Sequence, residues 1–172
     1  MGFGRCLVVF AALMLATAGV GAEEPQSDKA FSPPLLIPGS AFVNDGIDPD
    51  GATFSNGAIV GRGVKVLMVA PVYLPHGAVV DSFRAYVYDN DDACDVNGEN
   101  VELFLVRTSL VTGDMDTVAI AASNGASGLV QFLPTHTLYT SRATINNTSY
   151  QYWIQMRICS ESHRLNAVVI GY

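Results

Sequence analysis

The stretch from Ala70 to Asp92, APVYLPHGAVVDSFRAYVYDNDD, most constrains what this chain can fold into. Read on from Val64, it holds Val64, Val66, Met68 and Ala70 on one register and then breaks at Leu74-Pro75-His76-Gly77. The chain resumes as Ser82 to Tyr88, where Phe83, Ala85 and Val87 share one face and Arg84, Tyr86 and Tyr88 the other. Successive side chains of a strand point to opposite faces, so each run reads as a half-buried strand. Two such runs bounded by Pro and Gly predict neighbouring sheet strands. The second run ends in Asp89-Asn90-Asp91-Asp92, too polar to continue a ladder.

The same period recurs along the chain. Thr53-Phe54-Ser55 and Ala58-Ile59-Val60 flank Asn56-Gly57, a hairpin dipeptide. Val101–Arg107, Thr117–Ala121 and Leu129–Leu133 read as further strands, with Pro134 confining the last to an edge or bend. The longest alternation runs from Tyr150 to Ile158. It places Tyr150, Tyr152, Ile154, Met156 and Ile158 on one side and Gln151, Trp153, Gln155 and Arg157 on the other. Leu165–Tyr172 closes the chain as a strand paired inside a sheet. Hydrophobic residues make up 49% and charged residues 15%, which suits a packed core, and no stretch after the first 22 residues sustains a capped helical period. The fold class expected is all-β, an antiparallel two-sheet β-sandwich of jelly-roll or Greek-key style.

Residues 1–22 carry Arg5, a short apolar run and a small-residue ending at Ala22, the pattern of a cleaved secretory signal peptide. Residues 23–38 form a Pro-rich lead-in whose Leu35-Leu36-Ile37 can pack as an edge segment, and residues 39–172 form one sandwich domain. The expected location is secreted, extracellular or periplasmic, with no stable membrane span after cleavage. The formal net charge is −7, and loss of Arg5 makes the mature chain more acidic still. That balance disfavours nucleic acid and anionic lipid, which need clustered Lys and Arg.

Three constellations bear on chemistry. His76, His136 and His163 read as loop residues; no Gly-x-Ser-x-Gly elbow accompanies them, so no catalytic residue is assigned and the chain is read as a non-enzyme. Asp89, Asp91, Asp92, Asp95 and Glu99 crowd one loop whose oxygens suit calcium, although the spacing departs from the EF-hand and a solvated acidic loop is the preferred reading. Trp153 lies on the more polar face of its strand beside Gln151 and Gln155. With Tyr150 and Tyr152 it is a candidate sugar-stacking platform, against the commoner fate of a Trp as core.

The motifs Leu74-Pro75-x-Gly77-Ala78, Tyr86-x-Tyr88-Asp89-Asn90-Asp91, Asn147-Thr148-x-Tyr150-x-Tyr152 and Ile170-Gly171-Tyr172 resemble those of a group of uncharacterised secreted bacterial proteins. The resemblance implies a single secreted β domain and lends no catalytic residues. The leading expectation is therefore a structural or interaction module with a protein partner, through self-association or at a surface. A carbohydrate-binding module using exposed aromatics, with calcium as an optional aid, is the alternative.

The mature chain keeps two cysteines, Cys94 and Cys159, and an even pair in an oxidising compartment reads as one disulfide. Thiol titration of the unfolded, unreduced mature protein is expected to find no free thiol; two per chain contradict the bridge.

Overall fold

The computed structural model describes residues 33–44, 52–61, 66–90, 101–123, 125–158, 160 and 162–172. The expected signal peptide (residues 1–22), Cys94, Cys159, and Asp91, Asp92, Asp95 and Glu99 lie outside the described residues.

The described residues form a two-sheet antiparallel β-sandwich. Sheet A contains β1 (Leu35–Pro38), β3 (Ala52–Ser55), β4 (Ala58–Gly61), β6 (Ser82–Asp89), β9 (Val130–Leu133) and β12 (His163–Gly171). Its order is β3-β4-β12-β6-β9, and β1 pairs with the part of β12 that β4 leaves uncovered. Sheet B contains β2 (Val43–Asn44), β5 (Val66–Val72), β7 (Glu102–Ser109), β8 (Met115–Ala122), β10 (Thr137–Leu138) and β11 (Tyr150–Ile158), in the order β10-β8-β7-β11-β5-β2. The final strand is flanked on both sides, as its apolar pattern predicts, and the edge segment Leu35–Pro38 is β1. At the β3–β4 hairpin, Asn56 and Gly57 take φ of 51° and 80°, the left-handed pair that an Asn-Gly turn supplies.

One expectation is corrected. The two runs on either side of Pro75 are not neighbours: β5 pairs with β11 and β2, while β6 pairs with β12 and β9. The segment between them is too long for a tight hairpin and bonds elsewhere. Gly77 N–H donates to Ile145 O at 2.8 Å, Ile145 N–H to Ala78 O at 2.8 Å, and Val80 N–H to Ala143 O at 3.0 Å. It thus crosses from one sheet to the other along residues 143–145.

The core lies between the sheets. Phe83, Ala85 and Val87 of β6 and Leu165, Val168 and Ile170 of β12 face Leu103 and Leu105 of β7 and Ile154, Met156 and Ile158 of β11, all fully buried. Gly39 lies in the 3-10 turn that carries the chain from sheet A to sheet B. It packs so closely on Leu165 O, beside the bulge between Leu165 and Ala167, that a Cβ there would collide with backbone.

A second correction concerns His163. It is not a loop residue but opens β12, fully buried, with Nε2 3.1 Å from Asp89 Oδ1 at the end of β6. The two groups face each other without the alignment of a hydrogen bond. Removing one member of a buried pair leaves the other group stranded in a low-dielectric site, typically at about 3–5 kcal/mol. His163→Leu is expected to destabilise on that scale in urea unfolding, and adding Asp89→Leu is expected to recover most of the loss. A neutral single variant would show that the pair does not hold the two strand ends together.

Candidate functional site

The outward face of sheet B carries the site, and β11 organises it. Because β11 is central and strictly alternating, Tyr152, Ile154, Met156 and Ile158 go inward and Gln151, Trp153, Gln155 and Arg157 outward. Trp153 is half-buried. Its Nε1–H donates to Thr108 Oγ1 on β7 at 2.9 Å, which leans the indole over β7 and fixes its rotation. Val106, directly across the ladder from Trp153, keeps only 5% exposure although it faces outward.

On the other flank of β11, Pro71 of β5 pairs with Trp153. Strand β2 reaches only Val43↔Val69 and Asn44↔Met68, so β5 is an open edge at Pro71, a position that proline tolerates within a sheet. The short β2 leaves a hollow of about 400 Å³ between Val43, Pro71 and Trp153. A second hollow of about 410 Å³ adjoins it, sharing Pro71, Gln151 and Tyr152 and ending at Tyr73 and Asn147. Together they form a trough along β5 and β11. Its far wall is fixed by Asn147, whose Nδ2 donates to Leu74 O at 2.8 Å and whose backbone N–H donates to His76 Nδ1 at 3.2 Å. Tyr73 is 74% exposed at that end. Among the described residues, no Asp, Glu, His, Lys or Arg lines either hollow.

Of the three aromatic residues singled out from sequence, Trp153 and Tyr152 line the first hollow and Tyr150 and Tyr152 the second. Trp153 is in the trough. Tyr152 is a core residue at 5% exposure, and its hydroxyl accepts from Asn146 N–H at 2.9 Å. Tyr150 follows Tyr152's register and is capped by Arg107, whose guanidinium carbon lies 4.3 Å from the ring centroid. Of the acidic residues proposed for calcium, Asp89 is the one described, buried against His163. Gln151 and Trp153 were visible as outward neighbours. Pro71, Thr108 and Asn147 join them only through pairing between distant strands, which no local signal in the sequence reveals.

Arg107 also donates through Nε and Nη2 to Asp116 Oδ2, at 3.1 and 2.9 Å, and Arg142 Nη2 lies 3.5 Å from Asp116 Oδ1. The Arg107 hydrogen bond, aided by the charges of both arginines, holds the Asp116 carboxyl below the usual carboxylate range. A lowered pKa means that the stabilisation is fully present above the ordinary carboxylate value and is lost as pH falls through the lowered one. The carboxylate is open to solvent, so the effect is small.

A scan against protein-family models finds no match, and a search of curated proteins finds none. Among solved structures, the chain is similar to the CBM22-1–GH10 modules of Clostridium thermocellum endo-1,4-β-D-xylanase 10B complexed with xylohexaose, at 14% identity and a TM-score of 0.49. That match covers 79% of this chain but 27% of the xylanase structure. It is also similar to a xylan-binding module, CBM15, at 12% identity and a TM-score of 0.47, covering 80% of this chain and 95% of that one. A third is the module CBM6cm-2 of Cellvibrio mixtus lichenase 5A in complex with cellotriose, at 14% identity and a TM-score of 0.42, covering 80% and 96%. At these values no residue of the trough is assigned a counterpart.

Asp116→Asn is expected to leave the melting temperature nearly unchanged at neutral pH and to flatten its acid limb slightly. An acid limb identical to the parent's would show that Asp116 contributes nothing there.

Proposed function

We propose that this chain is a non-enzymatic carbohydrate-binding module acting outside the cell, and that it takes a neutral polysaccharide along the trough beside Trp153. One observation carries the reading: a half-buried indole, locked by Thr108, borders a trough whose described lining is apolar, aromatic and amide side chains without Asp, Glu, His, Lys or Arg. Sugar rings present an apolar C–H face and a rim of hydroxyls. The indole, Pro71 and Tyr73 offer flat surface for the face, and Gln151 and Asn147 offer amide groups for the rim. A charged ligand would lose its hydration there without gaining a counter-charge. Among the described residues its lining offers surface for binding and no carboxylate pair or histidine for acid–base chemistry.

The rigid setting supports the same reading. Trp153 stands on a strand paired along both sides and is held by a hydrogen bond, so little side-chain freedom remains to be lost on binding. Export fits the expected signal peptide. This reading takes up the alternative expectation, a carbohydrate-binding module, in place of the leading one of a module with a protein partner.

Affinity electrophoresis through xylan, glucomannan and mixed-linkage glucan tests this directly. At least one is expected to retard the mature protein. Trp153→Ala should weaken that binding on the order of 30-fold, the scale of a central aromatic hot spot. Gln151→Ala, which removes an exposed amide, should weaken it less while leaving the melting temperature unchanged. Equal retardation of parent and Trp153→Ala, or no retardation by any of the three, contradicts the proposal.

A further inference from the structure

The outward face of sheet A is built on a different chemistry. Strand β6 presents Arg84, Tyr86 and Tyr88 outward at two-residue spacing. Phe132 of the edge strand β9 stands directly across from Tyr86, their ring centroids 5.2 Å apart and their planes at 50°. On the other flank, β12 places Arg164 across from Tyr88. The Arg84 guanidinium carbon lies 5.8 Å from the Phe132 centroid, and that of Arg164 lies 5.6 Å from the Tyr88 centroid. Tyr86 and Phe132 keep 42% and 47% of their surface exposed. The patch therefore lies at the β9 edge of the sheet, with aromatic surface left open and a cation stacked on it.

The charges sharpen this. Arg107, Arg142 and Arg157 each have a carboxylate partner, in Asp116 or Glu102. Among the described residues neither Arg84 nor Arg164 has one, although the chain carries 16 acids against 9 lysines and arginines. No Asp or Glu occupies an outward strand position beside them on β6, β9 or β12. A guanidinium near an aromatic ring keeps its planar fork of N–H donors available for an anion. Such a fork matches the paired oxygens of a carboxylate or sulfate.

We infer that this face is a second binding surface, separate from the trough, for an acidic polysaccharide bearing carboxylates or sulfates. The open rings of Tyr86 and Phe132 take sugar faces, and Arg84 and Arg164 take the anionic groups. The two arginines are offset by four residues along the sheet, about 13 Å at the rise of a strand, a span that fits an oligosaccharide rather than a single sugar. Two cations in a chain of net charge −7 are too few for nucleic acid or an anionic membrane, whose binding rests on many simultaneous phosphate contacts. At physiological salt the chain's distant acids are screened beyond roughly 8 Å, so the local pair governs.

The mature protein is run through affinity gels containing polygalacturonate, alginate or dextran sulfate, with carboxyl-reduced polygalacturonate as the neutral control. At least one acidic polymer is expected to retard it. The Arg84→Gln/Arg164→Gln double variant should bind roughly tenfold or more weakly. Phe132→Ser should also weaken binding, whereas Trp153→Ala should bind like the parent. Which polymers act distinguishes carboxylate from sulfate recognition. The inference is overturned if none of the three acidic polymers retards the protein, if the neutral control acts as strongly as its acidic parent, or if the double variant binds like the parent. Sedimentation showing a dimer that Phe132→Ser dissolves would overturn it too, because a second copy would then cover the face.

Discussion

The alternation of β11 is the constraint on which the rest of the structure depends. This strand lies between β7 and β5 and commits its two faces to opposite environments. Tyr152, Ile154, Met156 and Ile158 are 5% exposed or less. Burial of four such side chains contributes of order 10 kcal/mol, comparable to the whole net stability of a small domain. A slip of one residue would turn all four to water and drive Gln151, Trp153, Gln155 and Arg157 into the core, so the register cannot drift. The core and the trough are the two sides of that single commitment. Trp153 is available to a ligand because its neighbours are not.

The two outer faces of the sandwich then diverge through what stands beside the aromatic residues. On the outer face of sheet B, Arg157 lies over Phe104 but is also tied to Glu102 at 3.3 Å. That cation is neutralised, and the described lining of the trough carries no Asp, Glu, His, Lys or Arg. On sheet A, Arg84 and Arg164 lie on rings with no acid alongside among the described residues. Among the described residues, acids stand beside Arg107, Arg142 and Arg157 and not beside Arg84 or Arg164, and this difference underlies the two separate proposals.

Much of this was legible in the sequence. Alternation located β6 and β11 almost to the residue, Asn56-Gly57 announced its hairpin, and Pro134 marked β9 as an edge strand. The face of each residue on β11 was also readable, and it already set Tyr150 and Tyr152 opposite Trp153. Partnership was not legible, because a period of two states which way a side chain points and nothing about which strand lies alongside. Hence β5 and β6, adjacent in the chain, fall in different sheets. Thr108, Pro71 and Asn147 converge on the trough from separate segments for the same reason. His163 was hidden by the polar run Ser160-Glu161-Ser162 before it, although its parity with Leu165 pointed inward. Strands β2 and β10, two residues each, are too short to carry a period, yet the brevity of β2 is what opens the trough.

Trp153 is the only tryptophan in the chain, so its indole N–H gives a single side-chain resonance of its type in a nitrogen–proton correlation spectrum. Titrating neutral xylan, glucomannan and mixed-linkage glucan oligosaccharides into the isotope-labelled mature protein reads the proposed site without any mutation. The account predicts that one of them shifts the indole resonance in a saturable way, together with the amides of Gln151 and Tyr73 and with little change on β6 and β9. Saturable shifts confined to other parts of the molecule, or no shift with any of the three, would contradict it.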